Sequence, residues 1–267
     1  MIKRILTAVV MTLSINMAAQ ANPQLESQGM ASTAHPLATA AAETIFKLGG
    51  NSVDAAIAAS LTLAVVEPSM SGLGGRAQAI VKLADGSLRG YNGMTEIPAG
   101  FVLQKEMPSS GYTTVATPGL IALLQVLHKN HGSLPFEDLI QPALQHASKG
   151  FALLAGEASR HQSSAKKIRQ DFGMSMAYLN NRKKAFDAGE ELKQPALART
   201  LARLSRFGPD DFYRGEIARE ISDDVLKNGG FITLADLKDY AVLPGRYIHF
   251  STEAMRFIPW QHLRAAD

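Results

Sequence analysis

Apolar positions follow a helical period from the point where regular patterning begins. Pro36 suits a first helical position, and Leu37, Ala41, Ile45 and Leu48 recur at spacings of four, four and three before Gly49-Gly50 supplies a left-handed stop. A second helix is predicted to follow at once, capped by Asn51 with Asp54 three residues on, a weaker relative of the capping box. Its body, "AAIAASLTLAVV", is apolar or small on every face, the pattern of a helix buried all round, and Glu67-Pro68 ends it. The period then changes. "RAQAIVKLADGSLRGYNG" reads as two strands with Asp85-Gly86 at the turn, the strongest short-range hairpin signal a sequence carries. Beyond Thr117-Pro118-Gly119 the pattern is helical over residues 120–129, 135–148, 195–207 and 210–227, and Thr233 caps a short helix through Asp236. Residues 163–192 are the most polar and least regular portion. The expected fold class is α+β, mostly helical with a central β-hairpin, without internal repeats or a clear linker.

Between the apolar helix and the first strand lies "VVEPSMSGLGG", with Gly72, Gly74 and Gly75 forming a flexible joint in a hydrophobic setting. Glycine costs about 0.5–1 kcal/mol relative to alanine in regular structure, so either the backbone turns there as a side chain would forbid or something approaches it closely. A phosphate-cradling loop is the competing reading. Its order is strand, glycines, helix, with a Lys-Ser or Lys-Thr pair, whereas this joint runs helix, glycines, strand.

Composition is that of an ordinary globular chain, 46% hydrophobic and 19% charged. The first 21 residues stand apart: Lys3 and Arg4, an apolar run broken by Ser14 and Asn16, then Ala19 and Ala21 around Gln20. That is the pattern of a cleaved secretory signal, and the run is short of the ~20 residues a span needs. Cleavage near Ala21 implies a periplasmic or secreted protein with no membrane anchor remaining. It also removes two cations and no acid, leaving the rest nearly neutral. No basic patch interleaves with aromatics, which gives nucleic-acid binding no support. "KK" at 166–167 and "RKK" at 182–184 read as solvated helix faces. With no cysteine, disulfides, thiolate catalysis and zinc-thiolate sites are excluded.

The order of these motifs resembles one family. "MASTAHPLATAAAETIFKLGGNSVDAAIAASLTLAVVEPSMSGLGG", "YTTVATPGLIALLQVLHKNHGSLPFEDLIQPALQHASKGF", "FGPDDFYRGEIAREI" and "GGFITLADLKDY" are similar to the opening half of the gamma-glutamyltranspeptidases, from about Met30 to Tyr240. The resemblance implies the large-subunit part of an αββα N-terminal-nucleophile hydrolase sandwich, in which the glycine joint enters the central sheet near the substrate pocket. It implies hydrolysis or transfer of gamma-glutamyl groups, without a cofactor or metal. The attacking group is a threonine at a new N-terminus, whose own amine serves as base. Family chains are about twice as long. The "YIHFST" stretch at 247–252 shares only His-Phe-Ser with the family's threonine motif, so Ser251 and Thr252 are poor nucleophiles and no catalytic residue is assigned.

The resemblance also places a carboxylate-binding arginine in the stretch read here as "YNGMTEIPAG", where counting back from Pro98 puts Met94. Arginine suits that task because its planar fork donates two parallel hydrogen bonds and keeps its charge. Removing one partner of such a buried pair costs roughly 2–5 kcal/mol. Arg76, just past the joint, and Arg89, on the second strand, are the candidate replacements, and Asn92, Thr95 and Glu96 are weaker substrate-binding candidates that also read as turn residues. His128, His131 and His146 read as helix-end residues and not as a metal site, and His35 as closing a helix start.

Three functional readings follow. In the first, residues 22–247 form a large-subunit-like region that acts on a gamma-glutamyl or other amide substrate only with a separate small-subunit chain. In the second, the family pattern lapses over 248–267 because the product is truncated or frameshifted, and the chain is non-catalytic or a binding module. In the third, Met94 marks an acylase for an uncharged acyl group.

Overall fold

The computed structural model describes residues 29–103, 105–106 and 108–245. The leader at 1–21, the "YIHFST" stretch and the tail at 248–267 lie outside the described residues. Helices α1 (Pro36–Lys47) and α2 (Ser52–Val66) form where the pattern places them, and their caps explain the boundaries. His35 Nδ1 accepts the Leu37 N–H at 3.1 Å, and Asn51 and Asp54 make a full capping box. Asp54, wholly buried, also accepts the Ser133 N–H at 3.0 Å, while the Asn51 amide donates to His131 O at 2.7 Å. One helix start is thereby tied to a loop almost eighty residues away.

The hairpin pairs β1 (Ala77–Lys82) with β2 (Leu88–Gly93), antiparallel, from Ala77↔Gly93 to Lys82↔Leu88. Leu83 N–H donates to Ser87 O, Gly86 N–H to Leu83 O, and Gly86 has φ +82°. This is a three-residue loop with glycine in the left-handed position, the next commonest hairpin solution after the two-residue turn. A two-residue strand β3 (Phe151–Ala152) pairs separately with β4 (Glu191–Leu192), and β5 (Leu243–Pro244) pairs with Tyr91 and Asn92 on the far edge of β2. Ala77, Ala79, Val81 and Tyr91 pack on the helical core, while Ile80 on the opposite face is 64% exposed.

Helices α3 (Leu120–His131) and α4 (Phe136–Lys149) complete the layer under the hairpin, with α2 packed between them and α1. The polar stretch departs from expectation. It begins inside α5 (Ala155–Gln170) and contains α6 (Phe172–Tyr178); α5 is hidden from an apolar-period reading because two of its four buried positions are Glu157 and His161. "RKK" is likewise not on a helix: it lies in a tight turn closed by Leu179 and Ala185. Helix α7 (Pro195–Phe207) forms as expected. The segment at 210–227 is two helices, α8 (Asp210–Arg214) and α9 (Glu216–Lys227), because the Asp211 carboxylate occupies the space a Gly215 side chain would need and accepts the Glu216 and Ile217 N–H groups. Thr233 and Asp236 cap α10 (Leu234–Asp239) with a complete capping box. Among the described residues no helix is long and apolar enough to cross a membrane.

Candidate functional site

The glycine joint resolves into two kinds of glycine. A Cβ on Gly75 would lie 2.9 Å from Gly72 O, so that glycine is required by crowding. Gly72 and Gly74 face open space and none of the three has positive φ. What they border is a cleft of about 640 Å³, walled by Ser60 and Leu63 of α2, by Met70 and Ser71 of the joint, and by Arg76 and Leu120. Helix α2 is therefore not buried all round: Ala56 is exposed and Ser60 and Leu63 half-exposed, a strip at positions i, i+4 and i+7. Ala56 and Ser60 fit the apolar-or-small pattern without demanding a cover, and Leu63 lines the cleft.

Arg76 is the cation of this cleft. Its side chain is exposed and makes no hydrogen bond or ion pair among the described residues. Arg89 is at the other end of the hairpin, opposite Val81, with its guanidinium on Leu88 O at 3.3 Å. Four residues of strand, or about 13 Å, separate it from the open end.

Met94 is one residue past Gly93, as Arg76 is one before Ala77, so both sit where the hairpin ladder opens. They differ in setting. The Met94 side chain is 36% exposed and outside the cleft wall, while its backbone is clamped: Asn92 Oδ1 accepts the Met94 N–H at 3.2 Å, and Tyr240 donates its hydroxyl to Met94 O at 2.6 Å. Asn92 points to the outer sheet face beside Gln78. Glu96, exposed, exchanges two backbone hydrogen bonds with Thr117, with the half-buried Thr95 between it and Met94. The structure thus brings Arg76 and the glycines to one wall and leaves Asn92, Met94, Thr95 and Glu96 on the neighbouring strand and its exit.

Behind Met94 the motifs at 117–119, 210–215 and 233–240 converge. A side chain on Gly119 would run into the Tyr240 hydroxyl and the Gly93 carbonyl, and one on Gly93 would meet Leu123 Cβ at 2.7 Å. Gly75 O accepts the N–H groups of Gly119 and Leu120 at 3.0 and 3.1 Å, which satisfies two orphan donors of the α3 start. Tyr213 donates to Pro118 O, accepts from Ala122 N, and stacks on Tyr240 at 5.6 Å. Burial, with the Glu96 charge adding, pushes the Tyr240 phenol up to about 12, so it remains a donor throughout the physiological range.

One group at the joint went unread in the sequence. Glu157, 1% exposed, accepts the Ser69 N–H at 2.8 Å and the Ser69 hydroxyl at 2.7 Å, together with Arg160 Nε at 3.1 Å and His161 Nε2 at 3.1 Å. Burial alone would raise this carboxyl, but the hydrogen bonds from His161, Ser69 and Arg160 outweigh it and hold the group at about 2. Glu157 therefore anchors the joint three residues before its first glycine. Only its glutamate amid a polar run was visible beforehand, with nothing to show its partner.

The histidines take structural positions. His128 Nε2 reaches Leu134 O at 2.8 Å, His131 Nε2 the Tyr91 hydroxyl at 2.6 Å, and burial lowers the pKa of both His35 and His146. No group of three or more metal-ligating side chains occurs among the described residues.

The sequence model of the family described as Gamma-glutamyltranspeptidase matches residues 38–259. A glutathione hydrolase proenzyme of Pseudomonas sp. (strain A14) is 34% identical over 85% of this chain and 41% of its own length. An acylase ACY 1 proenzyme of Pseudomonas sp. (strain SE83) is 30% identical over 82% and 42%. The chain thus spans about two fifths of the length of these curated relatives. Among solved structures, Helicobacter pylori gamma-glutamyltranspeptidase superposes with a TM-score of 0.79 at 29% identity, over 82% of this chain and 66% of that one. Cephalosporin acylase from Bacillus halodurans gives 0.75 at 29% identity, over 81% and 43%.

Proposed function

Because the chain belongs to the gamma-glutamyltranspeptidase family and has the α+β fold of the large-subunit part of its N-terminal-nucleophile hydrolase sandwich, we propose that it forms the acyl-binding wall of an enzyme that hydrolyses or transfers gamma-glutamyl or related acyl groups. In this reading the nucleophile is the N-terminal threonine of a small-subunit partner. Its hydroxyl attacks the amide carbonyl, its amine takes the proton and returns it to the leaving amine, and water or an acceptor amine then releases the acyl group from the ester. This chain's residues bind and orient, and unaided the chain is inactive. A signal cleaved near Ala21 puts the protein in the periplasm or outside the cell.

The observation that carries the reading is the guanidinium of Arg76, without a partner among the described residues, in the cleft beside the open glycines. Met94 occupies the family's arginine position without a charge, and Arg76, one residue beyond the same ladder pair on the adjacent strand, supplies the fork instead. Asn92, Thr95 and Glu96 follow as secondary contacts on the strand exit. A second reading rests on the exposed Met94 thioether and the acylase-named relatives: an uncharged acyl group.

The test is an assay of gamma-glutamyl-p-nitroanilide hydrolysis by the full chain, alone and with a separately expressed family small subunit. Turnover is expected only with the partner, and Arg76→Ala is expected to lower kcat/KM at least about 30-fold. Turnover by the chain alone, or no effect of Arg76→Ala, contradicts the reading. Cleavage of an apolar acyl anilide but not the gamma-glutamyl one selects the acylase.

A further inference from the structure

We propose that the end of α5, helix α6 and the turn after it form a docking face for an anionic phospholipid surface. Residues 165–184 hold six basic side chains, Lys166, Lys167, Arg169, Arg182, Lys183 and Lys184, against one acid, Asp171. For a chain of net charge +3 this is a strong concentration of one sign. All six are exposed, and none is in an ion pair among the described residues. The two basic runs are neighbours in space, since Arg169 Nε donates to Lys183 O at 3.1 Å.

Between them α6 exposes two large apolar side chains on one face, four residues apart, Phe172 (83% exposed) and Met176 (65%), with Met174 (43%) on the other side of the helix. Single exposed hydrophobes need no explanation, but an apolar helix rimmed by unpaired cations has the chemistry of a segment that lies in a membrane interface. Phe172 and Met176 enter the acyl boundary while long lysine stems let the ammonium groups reach headgroup phosphates. The turn carrying Arg182, Lys183 and Lys184 is held in shape: Asn180 Oδ1 accepts the N–H groups of Arg182 and Lys184, and Lys183 takes φ +58°, in the left-handed region. A membrane fits better than an acidic protein because Phe172 stands out from the surface instead of lining a socket, and four of the six cations are lysines rather than the arginine forks favoured in specific pairing. Apolar and basic signals together are what reversible membrane attachment needs.

The chain has no cysteine, so one introduced at Met176 can carry an environment-sensitive fluorophore that reports this face alone. Far-UV circular dichroism checks each variant's fold. Vesicles of phosphatidylglycerol and phosphatidylcholine in equal parts should blue-shift the Met176→Cys label at low salt, phosphatidylcholine vesicles should not, and about 0.5 M NaCl should reverse the shift. The triple variant Arg182→Glu, Lys183→Glu, Lys184→Glu should bind at least about tenfold more weakly. Phe172→Ser should weaken binding with its salt dependence unchanged. A label at Ile80→Cys, on the exposed hairpin face, should stay silent. The proposal is overturned if neutral vesicles shift the label equally, if only the Ile80 label responds, or if charge reversal has no effect. Polyglutamate shifting the label while Phe172→Ser binds like the parent would overturn it in favour of an acidic polypeptide.

Discussion

Two glycine-bearing regions meet at the open end of the hairpin and teach opposite lessons. Around Gly93 and Gly119 the chain fills its own space: two backbones cross where no side chain fits, and Tyr213 and Tyr240 satisfy the carbonyls of Pro118 and Met94. Around Gly72 and Gly74 the described residues leave space unfilled, with an arginine beside it that has no partner among them. Close packing explains the first pair completely. Neither crowding nor positive φ requires the second pair among the described residues, and they border the cleft that the proposed function gives to substrate.

The sharpest way to break this contrast is a matched pair of alanines. Gly119→Ala should cost at least about 3 kcal/mol in denaturant unfolding, since both colliding groups are a backbone carbonyl and a buried phenol. Next in size is Glu157. Its depressed carboxyl contributes stability that is fully present above about pH 5 and is lost as pH falls towards 2, on the order of 3 kcal/mol. Glu157→Gln should be less stable than the parent at neutral pH, and the gap should close as the solution is acidified, readable in parallel melts. Tyr240→Phe leaves Met94 O without its donor and should cost about 1–3 kcal/mol while preserving the stack on Tyr213. Gly74→Ala and Arg76→Ala complete the series, each within about 0.5 kcal/mol of the parent in stability. A large loss from Gly74→Ala would remove the distinction between the two regions.

Elements set by local chemistry were legible in the sequence: the Asn51-Asp54 and Thr233-Asp236 capping boxes, Pro36 opening α1, and the Asp85-Gly86 loop depend on residues within a few positions of one another. Elements set by distant partners were not. Helix α5 buries a glutamate and a histidine, so its stripe cannot look apolar, and Glu157 acquires its role only from Ser69, 88 residues earlier. The break at Gly215 depends on where the Asp211 carboxylate turns. For the site, the glycines and Arg76 are legible, but the crowding at Gly75 and the openness at Gly72 and Gly74 depend on how the joint's backbone folds. The open strip on α2 is invisible in the sequence for a related reason: alanine and serine look apolar or neutral whether or not anything covers them.

The most direct measurement is calorimetric titration of the full chain with gamma-glutamyl-p-nitroanilide, comparing the parent with Arg76→Ala and Arg76→Lys. The account predicts measurable binding to the parent, at least about 30-fold weaker binding to Arg76→Ala and an intermediate value for Arg76→Lys, because a point charge replaces part of the fork. Equal affinity in all three proteins would contradict it.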